Sequence, residues 1–136
     1  MKRFTFVEHT ADLGIVAYGN DLEEIFANSA YGLFSIIADL RNVKENYTRD
    51  ITVSGQDIES LLFTWLNELI YIFDVSSVLF KRFEIKEMNE THLKATCFGE
   101  VFDARRHHLK KGVKAATFHL LQVNKDKRQA TVIFDV

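Results

Sequence analysis

The sequence predicts an α+β fold in which two helices pack on a mostly antiparallel sheet, in the order β-β-α-β-α-β-β-β-β. Three observations lead there. Two stretches of helical periodicity lie in the first part of the chain, each opening on a capping pattern. Four long runs of period-two alternation fill the second part. Between these blocks there is no repeat and no low-complexity tract. At 136 residues the chain fits a single domain, residues 1–136, with enough apolar material to bury a core without a metal or disulfide.

Residues 3–7 alternate like a strand with Phe4 and Phe6 on one face, and 13–18 form a second short strand ending at the turn Gly19-Asn20. Asp21 then caps a helix, and Glu24 three residues on completes a capping box. Leu22, Ile25, Phe26, Ala30, Leu33, Ile36 and Ile37 share one face, carrying this helix to about residue 39. Residues 41–49 are polar and read as a loop, and 50–53 as a brief strand. Ser54 with Asp57 resembles a second capping box, opening a helix to about residue 74. Apolar residues cover most of its circumference and leave Ser60, Thr64, Asn67 and Glu68 as a narrow polar stripe. Such a helix is expected between a sheet and something else. Strands are predicted at 78–87, 92–102, 113–123 and 128–136, with hairpin turns at Asn89-Glu90 and around Asn124.

Composition excludes several classes of function. With 17 basic and 19 acidic side chains the net charge is -2, so binding to nucleic acid or an anionic membrane by overall charge is not expected, and only a local basic patch could do that work. Cys97 is the only cysteine, which excludes an internal disulfide and a cysteine zinc site and points to a reducing cytoplasm. The N-terminus shows no signal region, and the longest apolar stretch, 58–73, is interrupted by Glu59, Asn67 and Glu68, so no membrane span is expected. Proline is absent, leaving Gly, Asn and Asp to turn the connections. Phosphate-loop, dinucleotide, zinc-protease and hydrolase-elbow motifs are missing, and no nucleophile, base and oxyanion site assemble. Cys97 and His119 fall within strand runs and read as a small core residue and a hydrogen-bonded structural histidine.

Three segments can carry chemistry. Glu8-His9-Thr10-Ala11-Asp12, between two strands, offers oxygen ligands and one imidazole, or else a turn whose side chains satisfy its own backbone donors. Asp135 ends an apolar strand beside the α-carboxylate of Val136; the apolar strand reads as docked rather than frayed, and two negative groups at its end are then costly unless a cation or donor meets them. A site combining Asp12, Asp135 and the oxygens of Val136 would be all-oxygen and anionic, suiting Ca²⁺ or Mg²⁺ rather than Zn²⁺. The third segment, from Asp103 to Gly112, gathers Arg105, Arg106, His107, His108, Lys110 and Lys111. It reads either as a solvated loop tip or as a contact for phosphate or an acidic partner.

Read together, Glu8-His9-Thr10-Ala11-Asp12-Leu13-Gly14-Ile15, Leu61-Leu62-Phe63-Thr64-Trp65-Leu66-Asn67-Glu68-Leu69-Ile70, Val113-Lys114-Ala115-Ala116-Thr117-Phe118-His119 and Phe134-Asp135-Val136 resemble the archease family. The resemblance runs from Val7 to the last residue. It implies a non-catalytic protein cofactor for the RNA ligase that joins a 2′,3′-cyclic phosphate or 3′-phosphate end to a 5′-hydroxyl, chiefly in tRNA splicing. Archeases promote GTP-dependent guanylylation of that ligase's active-site histidine and allow multiple turnover; RNA is met only through the ligase. The resemblance also implies a divalent cation, calcium ahead of magnesium or manganese, held by Asp12 and Asp135 with Val136 beside them. Glu8, His9, His107 and His119 take supporting roles. The family often has proline in the loop around His107, where this chain has none. The readings from other classes are a small metal-dependent phosphoester hydrolase and a chaperone-like binding module with a structural metal.

Overall fold

The computed structural model describes residues 2–9 and 12–136, excepting the side chains of Glu8 and His9. Its strands form two antiparallel sheets, where the sequence pattern anticipated one. In the first, β1 (Phe4–His9) and β2 (Asp12–Tyr18) pair from Phe4 opposite Ala17 to His9 opposite Asp12. On the other side of β2 lies the last strand, β8 (Gln129–Asp135), with Leu13 opposite Phe134 and Tyr18 opposite Gln129. The far edge of β8 is covered by the short strands β6 (Ala115–Ala116) and β7 (Gln122–Asn124). The second sheet has the order β3-β5-β4, from β3 (Tyr47–Ser54), β4 (Val78–Met88) and β5 (His92–Val101).

Both helices pack against both sheets, and this is what fills the core. Helix α1 (Leu22–Ile37) starts where Asp21 accepts the Glu24 N–H at 2.8 Å. The Glu24 carboxylate takes the N–H of Asn20 at 2.9 Å, one residue before the position of a strict capping box. Helix α2 (Ile58–Ser76) is capped by Asp57 alone, which accepts the Ser60 N–H at 2.8 Å; Ser54 belongs to β3. Trp65 is fully buried and its indole N–H donates to the Phe26 carbonyl at 3.0 Å, tying α2 to α1. Burying a side chain such as Phe26, Leu33, Leu62 or Leu66 stabilises by about 1.5–3 kcal/mol each, and these four are fully buried. Among the described residues no helix is long and apolar enough to cross a membrane.

Two strands depart from their sequence patterns. Strand β3 is longer than expected because Thr48 and Arg49, exposed and polar, interrupt the apolar pattern, yet the pairing with β5 begins at half-buried Tyr47, opposite Gly99. At Gly99 an added Cβ would lie 1.9 Å from the Leu79 carbonyl oxygen, so only glycine lets β4 bulge across this point. The predicted strand 113–123 is instead split in two. Its alternation breaks at the doubled pairs Ala115-Ala116 and Leu120-Leu121. Between them the chain leaves β8: the Leu121 N–H bonds to the Phe118 carbonyl at 3.2 Å, and Leu120 takes a left-handed conformation, φ 56°. Phe118 is released from the sheet to stack on Phe63 of α2, ring centroids 3.9 Å apart.

Candidate metal centre

Strand pairing brings together residues from opposite ends of the chain. Leu13 stands opposite Phe134, and continuing that register by one step sets Asp12 opposite Asp135 at the same end of neighbouring strands. Side chains directly opposite across an antiparallel pair share a face, with Cβ atoms about 4.5–5.5 Å apart. The close fit of β2 to β8 depends on Gly14, where a Cβ would come within 2.6 Å of Ile133 Cδ1 and 2.9 Å of the Val132 carbonyl. On its other side Asp135 faces Ala115, and its carbonyl accepts the Lys114 N–H at 2.7 Å, so β8 is docked to its end.

Asp12 is half-buried and Asp135 exposed. None of the ion pairs among the described residues involves either carboxylate. Like charges directly opposite on paired strands repel, and among the described residues no basic side chain forms an ion pair with either. This donor set fits a hard divalent cation, which takes six to eight oxygens from carboxylates, carbonyls and water. Among the described residues no third His, Cys, Asp or Glu side chain joins the two. Further ligands would be backbone oxygens or water, and Val136, half-buried, follows directly on Asp135.

The supporting residues are placed unevenly. Thr10 and Ala11 lie outside the described residues, as do the side chains of Glu8 and His9, whose backbones belong to the last two positions of β1. His119 does not sit in a strand; it occupies the exposed turn between β6 and β7.

His107 is buried and held at both ring nitrogens, and its partner is a residue that the sequence pattern did not single out. Glu100 lies on the face of β5 that carries Lys94 and Thr96, yet it is only 6% exposed because the 103–107 turn folds over it. His107 Nδ1 accepts the Asp103 N–H at 2.9 Å, which leaves the ring proton on Nε2 to donate to Glu100 at 2.8 Å. Glu100 also takes the guanidinium of Arg106, the Lys44 N–H at 3.0 Å and the Asn46 amide at 3.4 Å. The Arg106 guanidinium, followed by the Lys44 N–H, holds the Glu100 carboxyl down at about 2.

The other basic residues of this loop are also placed by the protein. Arg105 is held by Asp103, whose carboxyl lies below its ordinary range chiefly because it accepts the Arg105 N–H. Lys110 docks on α1, its backbone N–H donating to the Ile37 carbonyl at 2.8 Å and its ammonium to the Ser35 carbonyl at 2.9 Å. Lys111 is exposed. The segment is therefore a folded turn rather than a loose tip. Cys97 is fully buried, and that burial pushes its thiol up to about 12, removing it as a nucleophile.

Asn67 was also legible only as part of a polar stripe. Its side chain acts as a piece of strand: Oδ1 accepts the Ala116 N–H at 2.9 Å and Nδ2 donates to the Ala116 carbonyl at 3.2 Å. Helix α2 thereby holds β6 in place beside Asp135.

Known proteins share this sequence and fold. Residues 4–136 match the model of the Archease protein family (MTH1598/TM1083). The chain is 42% identical to protein archease of Pyrococcus abyssi over 92% of this chain and 90% of that protein. It is 36% identical to protein archease of Methanosarcina acetivorans over 99% of this chain and 97% of the relative. The solution structure of Methanobacterium thermoautotrophicum protein 1598 superposes with a TM-score of 0.84 at 37% identity, covering 100% of both chains. The crystal structure of an archease from Thermotoga maritima, described as a possible chaperone, shares the fold at a TM-score of 0.62 and 22% identity, covering 100% of this chain and 98% of that one. The chain belongs to the archease family.

Proposed function

We propose that this protein is a non-catalytic cofactor of the GTP-dependent RNA ligase of tRNA splicing, which joins a 3′-phosphate or 2′,3′-cyclic phosphate end to a 5′-hydroxyl. It would promote guanylylation of the ligase's active-site histidine and sustain multiple turnover. The observation that carries the reading is the carboxylate pair Asp12 and Asp135, set opposite one another at the end of β2 and β8 in a chain of this family. These two residues, with oxygens at Val136, would hold a divalent cation, calcium foremost. When bound, such an ion supplies positive charge where phosphate groups must be shielded and oriented.

The protein's own contribution is to position that charge. Docking of β8 between β2 and β6 fixes Asp135, and Gly14 keeps β2 close enough for Asp12 to share the site. Neither Cys97, buried with a raised thiol, nor His107, whose ring is held at both nitrogens, is placed to attack a substrate. This supports assigning the chemistry to the ligase. The reading also assigns the protein to the cytoplasm, supported by an unpaired thiol as the sole cysteine.

The test is guanylylation of the cognate ligase, held in excess over this protein with divalent metal present. Stimulation by sub-stoichiometric wild type, abolished in Asp12→Ala and in Asp135→Ala, is the expected result. Undiminished stimulation by both variants would sink the metal-site account. Phosphoester turnover by the protein alone would favour a hydrolase. Metal removal that lowers Tm without changing stimulation would leave the metal structural.

A further inference from the structure

The 103–107 turn does more than cover Glu100. With the segment after α1 it forms a cleft of about 550 Å³ lined by Arg41, Asn42, Val43, Lys44, Arg105 and Arg106. Four of these six residues are cationic, in a chain whose overall charge is -2. The two walls are stitched together from beneath by Glu100, which accepts the Lys44 N–H on one side and binds Arg106 and His107 on the other.

The charges are sorted by depth. Side-chain exposure is 8% for Glu100, 25% for Asp39 and 26% for Asp103, against 87% for Arg41 and 91% for Arg105. The carboxylates lie beneath and the guanidiniums outermost. Asp39 binds Nε and Nη2 of Arg41, and Asp103 binds Nε of Arg105, which leaves Nη1 of Arg41 and both Nη groups of Arg105 for another acceptor. Lys44 takes part in none of the ion pairs among the described residues. A second cleft, lined by Asp39, Arg41 and Lys110 among others, adjoins the first through Arg41, so the cations form a track rather than a point.

We propose that this track, centred on Arg41, Lys44 and Arg105, binds the phosphodiester backbone of a nucleic acid strand. Guanidinium corners match phosphate oxygens, and a track of cations suits a repeating anion better than a single phosphate. The first cleft has no aromatic side chain and its one apolar member, Val43, is buried; in the second, Ala38 and Leu40 are buried and Tyr31 is half-buried, so neither cleft presents a fully exposed apolar anchor. A protein partner would be expected to meet an aromatic or apolar anchor. Contact would be to phosphates and not to bases. The proposal concerns a place apart from Asp12 and Asp135 in the chain and does not depend on the ligase reading.

The test uses the purified full chain and fluorescence anisotropy with a dye-labelled oligouridylate, repeated with oligothymidylate, over a salt series. Three phosphate contacts on a single strand predict a slope of log K against log salt of about -2. The triple variant Arg41→Ala, Lys44→Ala, Arg105→Ala should weaken binding by roughly tenfold or more at low salt and flatten the slope toward zero. Lys127→Ala, exposed on the turn before β8 and outside both clefts, should bind as wild type, and Arg41→Lys with Arg105→Lys should retain most of the slope, which separates lost charge from lost structure. The proposal falls if wild type fails to bind at low salt, if the triple variant binds unchanged, or if only one of the two polymers binds. Displacement of the strand by an equal concentration of oligoglutamate of matching charge would show a protein-docking face and overturn it as well.

Discussion

Glu100 at the end of β5 and the Asp12–Asp135 pair across β2 and β8 are carboxylates at the margins of the two sheets, and the protein treats them in opposite ways. Glu100 is buried and saturated by an arginine, a histidine, a backbone N–H and an amide. Asp12 and Asp135 face one another, and no ion pair among the described residues involves either. A saturated carboxylate is a structural strut, because its charge is already spent on the fold. An unsaturated pair leaves that charge for something from outside. The same residue type therefore marks architecture in one sheet and a candidate site in the other.

The comparison predicts that the two places respond differently to the same kind of change. The largest effect is expected for Glu100→Ala, which strands Arg106 and His107 and should lower unfolding free energy by about 3 kcal/mol. A shift in denaturation midpoint worth under about 0.5 kcal/mol would show that Glu100 is no strut. Its acid response follows from the same bonds. The Glu100 carboxyl is lowered from 4.5 to about 2, so its contribution is complete above pH 4.5 and is lost as pH falls toward about 2. Acid unfolding followed by circular dichroism should show this loss in wild type, and Glu100→Gln should remove that part of the pH dependence.

At the other place, stability should track metal instead. Calcium at a hundredfold excess over its Kd should stabilise wild type by about 2.7 kcal/mol, read as a rise in Tm. Asp12→Asn or Asp135→Asn should abolish that rise. Asn67→Ala, which releases both backbone groups of Ala116 beside the site, should cost about 1–2 kcal/mol. The smallest effect is expected for Asp12→Asn without metal: a change within about 0.5 kcal/mol, in the stabilising direction because a like-charge repulsion is relieved.

Much of this fold was legible because its signals are local. Asp21 marks the start of α1 by geometry confined to one turn, whereas α2 starts at Asp57 and not at Ser54, which the capping pattern pointed to and which belongs to β3. The breakdown of 113–123 into β6, a turn and β7 was visible only as two doubled apolar pairs, since the attraction that lifts Phe118 off the sheet is Phe63 on a distant helix. At the site, both aspartates could be named from their segments, but their meeting depends on β2 pairing with β8, which no local pattern specifies. Glu100 was hidden for a different reason. Alternation assigns it to the outer face of β5, and what buries it is a turn that returns over that face. Arg41 and Lys44 read as loop residues because their relation to Arg105 exists only once Glu100 has joined the two walls.

An open sheet ends in a row of unpaired backbone groups, a template on which a foreign strand can add. In the first sheet that margin is formed by β6 and β7, fragments of three residues or fewer. Asn67 occupies both outward groups of Ala116, and Glu59 takes the Val123 N–H at 3.1 Å. Two side chains of one helix thus stand in for a missing neighbour, closing that margin to edge-to-edge aggregation. Losing them would expose a sticky border as well as loosen a strand.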